Sequence, residues 1–359
     1  MKCRFAALGA LLFLNFASSA FALDKTAEDL MNAGHYKRAR AIAQQRLQKN
    51  ANDADALYIL ARVSLAQDRL DQAQSYSERA IEIAPNMSEA HRVLGESLGL
   101  KAIKLNLVTG LAIARRGKKE GELALQLDPR SIDAAEFLAS YYNAAPAVAG
   151  GGHDKAEHMV ETIMQLNPGR SYLARATGAE EKKDVAGEEQ WLLKAAQVDP
   201  KNYEVQDRLA HLYIGSDRHD LGRAAKYARA ALALDAGRSG SYAVLAAIYA
   251  EQNRWADLDA MLSLAERADG DDLVPYFEAG KALVATGKDN ARAERYLKKY
   301  LAQEAEGGQP HQGHAHWQLG LLMLREGKKE VALAELQTSV SLLPDFRPAA
   351  DDLKRARAS

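Results

Sequence analysis

The chain has 359 residues, 47% of them hydrophobic, and its 47 basic residues nearly balance its 48 acidic ones. This balance excludes a general electrostatic attraction for nucleic acid or for an anionic membrane. The single cysteine, Cys3, excludes an internal disulfide, so the stability of the fold must come from packing.

Residues 1–22 have the layout of a secretory signal peptide. Lys2 and Arg4 precede an apolar stretch over residues 5–16, and Ala20 and Ala22 supply a small-residue end. This order predicts cleavage after Ala22. An uncleaved anchor is the alternative, but the apolar stretch is shorter than the roughly 20 residues of a membrane-spanning helix. We therefore expect a periplasmic or secreted protein, bacterial in type, with no membrane span after cleavage.

The clearest internal motif covers residues 54–86. Counted from Ala54, positions 4, 7, 8 and 11 share one face of a first helix, and positions 20, 24 and 27 share one face of a second helix. Pro85 then ends the pair, because proline lacks an amide donor and disfavours helical geometry in its predecessor. The residues at the seven positions are Leu57, Leu60, Ala61, Ser64, Ala73, Ser77 and Ala80.

The closing position of this motif recurs along the chain at intervals of 32 to 44 residues. Its occurrences are Ala51, Pro85, Pro129, Pro168, Pro200, Ala236, Gly270, Pro310 and Pro344. The motif and its spacing resemble the tetratricopeptide repeat, a helical hairpin of about 34 residues. The resemblance implies an all-α fold, namely a right-handed superhelical solenoid of about nine hairpins. We expect the solenoid over residues 23–346 and a C-terminal capping helix over residues 347–359.

Three segments depart from the regular repeat. Ten additional residues precede Pro129, and residues 101–116 read as helical, which predicts a first helix longer than the others. Pro146 and the glycines 150–152 predict an enlarged loop between two helices. Residues 304–310 form a polar connection. Residues 88–170 are loosely similar to exported bacterial tetratricopeptide proteins of poorly defined role and to the regulator of microtubule dynamics proteins of eukaryotes, which implies architecture only.

In the tetratricopeptide family, positions 2, 5, 9 and 12 of each first helix face a concave groove, so the resemblance implies a partner-binding surface there. This register is mostly charged in the N-terminal half and apolar in the last repeats. For the apolar residues Phe277, Trp317 and Leu321, two alternatives are open. They form an exposed binding patch, or they pack against each other or against the final helix. The predicted binding residues are Tyr58, Arg62, Arg92, Glu96, Glu136, Asp207, His211, Phe277, Trp317 and Leu321.

The sequence contains no motif typical of a hydrolase or a metalloprotease. We therefore expect a non-enzymatic interaction scaffold of the bacterial cell envelope. It would bind a protein or peptide in the groove, without a cofactor and without nucleic acid. The alternative is a metal-binding protein or an enzyme that uses the only histidine cluster, His311, His314 and His316, since imidazoles close in sequence can bind zinc or copper.

Overall fold

A computed structural model describes residues 27–215 and 217–358, and the predicted signal peptide lies outside the described residues. Within these ranges all regular structure is helical, with 19 α-helices and one short 3₁₀-helix over Ala147–Ala149. No helix in this part of the chain is both long and apolar enough to cross a lipid bilayer.

The α-helices form nine successive hairpins and a final helix, as the sequence predicts for a tetratricopeptide-like solenoid. The hairpins are α1 (Ala27–Asn32) with α2 (Tyr36–Lys49), α3 (Ala54–Ala66) with α4 (Leu70–Ile83), α5 (Ser88–Ile103) with α6 (Leu107–Leu127), α7 (Ile132–Ala144) with α8 (His153–Leu166), α9 (Pro168–Glu181) with α10 (Val185–Val198), α11 (Tyr203–Ile214) with α12 (Leu221–Leu234), α13 (Gly240–Glu251) with α14 (Trp255–Ala268), α15 (Val274–Thr286) with α16 (Asn290–Leu301), and α17 (Gln312–Arg325) with α18 (Lys329–Leu342). The final helix is α19 (Arg347–Ala358).

Small residues let the paired helices approach closely. Ala61 and Ala73, at positions 8 and 20 of the clearest motif, are fully buried between α3 and α4. In the last hairpin a Cβ added at Gly320 would lie 2.6 Å from Leu336 Cγ. Short polar side chains start several first helices: Asp53, for example, accepts a hydrogen bond from the backbone N–H of Ala56 at 3.0 Å.

The third hairpin is the longest, because α5 has 16 residues and α6 has 21. The prediction of one helix over residues 101–116 is wrong. The chain turns between Ile103 and Leu107, and Asn106 caps α6 by accepting a hydrogen bond from the backbone N–H of Thr109 at 3.2 Å. The added residues therefore lengthen both helices instead of the first alone.

The enlarged loop between α7 and α8 is present, as Pro146 and the three glycines indicate. Gly150 has φ +93°, in the left-handed region that glycine adopts without strain. The Tyr141 hydroxyl donates to the carbonyl of Ala149 at 2.9 Å, and the Arg115 guanidinium donates to the carbonyl of Val148 at 2.8 Å. The loop is thus attached to both α7 and α6.

The superhelix closes on itself, because residues 32–69 contact residues 238–308. We call these contacts the closure interface. His35 Nδ1 lies 2.9 Å from Asp269 Oδ2, and Arg40 pairs with Glu304 at 2.7 Å. The backbone N–H of Gly308 donates to a carbonyl of the second hairpin, Ala66 O, at 2.7 Å. The polar segment 304–310 is therefore a joint between distant hairpins, a role that its sequence did not indicate.

Glu306 is the most enclosed carboxylate of the closure interface, with 2% of its surface exposed. Its Oε1 accepts the backbone N–H of Lys37 at 2.7 Å, and Lys37 Nζ lies 3.4 Å from Oε2. Burial raises the pKa of Glu306 to about 7. The hydrogen bond and charge of Lys37 oppose this rise, and the charges of Asp269 and Asp272 add to it.

Candidate partner-binding groove

Five of the predicted binding residues lie together on the concave side. Tyr58 and Arg62 are on α3, Arg92 and Glu96 on α5, and Glu136 on α7, and these three first helices stand side by side. The last four of them line a cavity of about 340 Å³. The register that places positions 5 and 9 in the groove is therefore consistent with the structure in this half of the chain.

Two arginine contacts lie at this cavity, one with a tyrosine and one with a carboxylate. Arg62 Nη1 donates to the Tyr58 hydroxyl at 3.3 Å, with its guanidinium 5.6 Å from the ring centroid. Arg92 Nη1 donates to Glu96 Oε1 at 2.6 Å. Burial disfavours the charge of Arg92, but Glu96 and Tyr58 outweigh it and raise the pKa of Arg92. Tyr58 and Arg92 are buried, whereas Arg62 and Glu96 are partly open to the groove.

Arg170 on α9 is a groove residue that sequence reasoning missed. Its Nη2 donates to Asp133 Oδ1 at 2.7 Å, and its Nε donates to Glu136 Oε1 at 2.7 Å. The closing-proline register places the start of this repeat after Pro168, but Pro168 is itself the first residue of α9. The sequence signal that could have corrected the register is the small residue Ala176, which the structure buries fully.

The two carboxylates bound by Arg170 differ in their electrostatics. For Asp133, burial raises the pKa, but the hydrogen bond from Arg170 and nearby arginine charges outweigh it, and the pKa is lowered. For Glu136, burial dominates and the pKa is raised. The difference follows their exposure, since 54% of the Asp133 side chain is exposed against 26% of that of Glu136.

The groove continues from α7 and α8 past α9 as a second cavity of about 450 Å³. Glu181 lies on its wall and accepts hydrogen bonds from Ser140 Oγ at 2.6 Å and from Asn143 Nδ2 at 2.8 Å. Glu136 and Phe137 line both cavities, so the two cavities share part of one wall.

Asp207 and His211 form a separate cluster on α11. Asp207 Oδ1 accepts a hydrogen bond from Ser241 Oγ at 2.7 Å, and His211 Nδ1 lies 3.4 Å from Asp207 Oδ2. Burial disfavours the imidazolium, but the contacts with Asp207 outweigh it and raise the pKa of His211 to about 9, and the charge of Glu278 on α15 acts in the same direction. The raised pKa favours the protonated imidazole, and about half of the His211 side chain is exposed to the groove solvent.

The last three predicted residues do not form an exposed patch, and the prediction of a binding surface there is corrected by the structure. Phe277 is 3% exposed and its ring centroid lies 5.3 Å from that of Tyr300. Trp317 Nε1 donates to Asp352 Oδ2 of α19 at 2.8 Å, and Leu321 packs against the main core. Packing is thus the alternative that the structure shows: Phe277 lies against Tyr300 of α16, Leu321 against the core, and Trp317 against α19.

The three histidines of the cluster do not converge. His311 Nδ1 accepts the backbone N–H of Gly313 at 3.0 Å, and His316 Nδ1 lies 2.7 Å from Glu335 Oε2. The His314 ring meets Phe346 edge-on at 4.8 Å, and burial lowers its pKa. In the described ranges, no group of three or more His, Cys, Asp or Glu side chains is arranged to hold a metal ion.

Residues 30–96 match the family model of the tetratricopeptide repeat. This part of the chain therefore resembles tetratricopeptide repeats, and helical hairpins of similar length continue to α18. No curated protein matches the sequence.

Several solved tetratricopeptide-type structures are distantly similar in fold. One is a thermophilic tetratricopeptide-repeat protein of Thermus thermophilus, with 20% identity and a TM-score of 0.45 over 53% of this chain and 96% of that one. Another, from Parabacteroides merdae, has 15% identity and a TM-score of 0.49 over 73% of this chain and 98% of that one. Yeast Tom70 has 14% identity and a TM-score of 0.42 over 92% of this chain and 87% of that one.

Proposed function

We propose that this protein is an exported, non-enzymatic scaffold of the bacterial cell envelope that binds a partner protein or peptide in its concave groove. The observation that carries the proposal is the charged wall formed by Arg62, Arg92, Glu96, Glu136 and Arg170 along two connected cavities. The signal-peptide layout of residues 1–22 supports export.

The chemistry of this wall favours a polar, extended segment as the ligand. Basic and acidic side chains alternate from α3 to α9 and are already paired with one another, so the wall has no strong excess of either sign. Such a surface offers both donors and acceptors to the backbone and polar side chains of a peptide, and it contributes more to specificity than to affinity.

Site-specific photocrosslinking in the native compartment tests the binding site. A photoreactive residue at Ser140, on the wall of the second cavity, should capture a discrete partner, whereas the same residue at Glu161, exposed on the second helix α8, should not. Identical capture from both positions would contradict a groove-specific partner.

A charge reversal provides a matched pair of variants. Arg170→Glu removes the cation that joins Asp133 and Glu136, so we expect the Ser140 crosslink to disappear. Arg130→Glu makes the same change of charge in an exposed turn and should leave the crosslink intact. Loss of the crosslink in both variants would point to net charge and not to the groove.

The export of the protein has its own test. N-terminal sequencing of the protein from a periplasmic fraction should begin at Leu23, the residue after the predicted cleavage site. A full-length chain retained in the cytoplasm would refute the location without bearing on partner binding in the groove.

A further inference from the structure

The turn between α5 and α6 exposes a concentration of large aliphatic side chains. We call residues 100–111 the hairpin tip. Ile103, Leu107 and Val108 are 78%, 78% and 80% exposed, more than any other large hydrophobic residue of the described chain. Leu100 and Leu105 add 43% and 42% exposure to the same turn. A contiguous exposed apolar patch of this kind marks an interaction site.

The hairpin tip projects from the edge of the superhelix. The neighbouring loop reaches α6 at Arg115, whose guanidinium donates to the carbonyl of Val148 at 2.8 Å. Arg115 follows Leu107 by eight residues, which corresponds to about 12 Å along a helix at about 1.5 Å per residue. The end of α6 therefore extends about two helical turns beyond that loop.

The projecting hairpin is also tightly packed. A Cβ added at Gly95 would lie 2.8 Å from the carbonyl oxygen of Gly117, and one added at Gly110 would lie 2.6 Å from that of Ala102. The backbones of α5 and α6 are thus in contact near the turn and again farther from it. Because the glycines let the two backbones touch, α5 and α6 are closely packed up to the turn that joins them.

Basic side chains lie on and behind the hairpin tip. No acidic residue occurs between Glu96 and Glu120, whereas six basic residues do: Lys101, Lys104, Arg115, Arg116, Lys118 and Lys119. Four of them pair with carboxylates that face them, in the pairs Lys101 with Asp71, Lys104 with Asp68, Arg116 with Glu78, and Lys118 with Glu122. Arg115 bonds a carbonyl, so its positive charge is not neutralised by that contact. The two lysines of the hairpin tip are therefore paired, and the positive excess lies behind the tip on α6, at Arg115 and Lys119.

We propose that the hairpin tip inserts into the surface of an anionic lipid membrane. An apolar end buried about 5–10 Å into the boundary between headgroups and acyl chains would place Arg115 and Arg116 at the level of the phosphates. The positive excess complements that surface. Fluid acyl chains can surround Ile103, Leu107 and Val108, which are 78–80% exposed. They can also fill the apolar recess of about 500 Å³ that Leu100, Leu105 and Leu107 line beside the tip. This contact is peripheral and involves no membrane span.

Vesicle flotation of the purified protein tests the insertion. We expect binding to vesicles of phosphatidylglycerol and phosphatidylethanolamine, and little binding to phosphatidylcholine alone. Serine at Ile103, Leu107 and Val108 should weaken binding at least tenfold. A control variant should bind like the parent, since it carries serine at three apolar positions of other hairpins that are 45–51% exposed: Val198, Leu264 and Val331.

A fluorescent reporter distinguishes insertion from other uses of the surface. Tryptophan placed at Val108 should shift its emission to the blue with anionic vesicles, whereas tryptophan at Val198 should not. The proposal fails if the parent does not bind anionic vesicles, or if the tip and control variants lose binding equally. It also fails if the serine substitutions leave vesicle binding unchanged and alter only the sedimentation of the protein without lipid. That result would show that the hairpin tip joins copies of the chain.

Discussion

Replacing Glu306 by glutamine should make the closure interface less sensitive to pH. The amide has nearly the shape of the carboxyl, and its oxygen can still accept the backbone N–H of Lys37, which lies 2.7 Å from Glu306 Oε1. The change removes only the charge that burial disfavours. We therefore expect Glu306→Gln to strengthen closure near pH 8 and to leave it unchanged near pH 4.

The sign and size of this effect follow from the pKa of Glu306. Burial raises the pKa of Glu306 from its ordinary value of 4.5 to about 7 in the closed form. A carboxyl with a raised pKa stabilises the closed form most below pH 4.5, and this contribution declines as the pH rises to about 7. At about 1.4 kcal/mol for each unit of pKa, the charged carboxylate disfavours closure by about 3 kcal/mol above pH 7.

Glu304, the other glutamate of the interface, titrates outside this window. The hydrogen bonds of Arg40 and Arg69 lower the pKa of Glu304 to about 2, against the opposing effect of burial. A lowered pKa gives a stabilisation that is complete above the ordinary pKa of 4.5 and is lost only as the pH falls towards 2. Between pH 5 and 8 the difference between parent and variant therefore reports on Glu306.

Hydrogen exchange of the Gly308 amide measures closure directly, because this N–H donates to Ala66 O across the interface. At pH 8 the protection of this amide should rise by up to about a hundredfold in Glu306→Gln, which corresponds to the roughly 3 kcal/mol above. The difference should shrink steadily as the pH falls to 5. Glu330→Gln, an exposed change on α18, should match the parent at every pH. Equal protection of the parent and Glu306→Gln at pH 8 would refute the assignment of a buried, costly charge to Glu306.

Four further variants test the packing and the groove. Gly95→Ala places a Cβ 2.8 Å from a carbonyl oxygen of α6 and should lower the free energy of unfolding in urea by about 1–3 kcal/mol. Gly99→Ala, whose Cβ meets one atom at 3.9 Å, should instead raise it by up to about 1 kcal/mol. Phe277→Ala should cost about 3–5 kcal/mol in the same measurement, and an unchanged melt would show that this ring is not packed. Arg170→Ala should raise the pKa of Glu136 further, because a hydrogen bond and a positive charge are lost, and an unchanged NMR titration of that carboxyl would contradict the pairing.

The repeat architecture could be predicted because its determinants act over short distances. Each hairpin depends on apolar and small residues at helical spacing, on a cap such as Asp53, and on a closing residue such as Pro85, all within about 34 residues. The same local rules located the enlarged loop at Pro146. They erred at Asn106, because a short capped turn inside a long helical pattern leaves little trace in the periodicity.

The groove could be predicted only in part. The common register correctly placed three residues on one cavity wall: Arg62, Arg92 and Glu136. It missed Arg170, because α9 begins at the proline itself. The burial of Phe277 depends on Tyr300 of the second helix of its hairpin, a contact that the register of the first helix did not reveal.

The sequence by itself determined the helices, their pairing into nine hairpins and the charged character of the N-terminal groove, because neighbouring hairpins pack by local rules. The tertiary structure alone decided which distant hairpins meet, and it joined His35 to Asp269, 234 residues apart. The physical reason is that the rotation from one hairpin to the next accumulates over seven hairpins, and only their sum determines which distant surfaces meet.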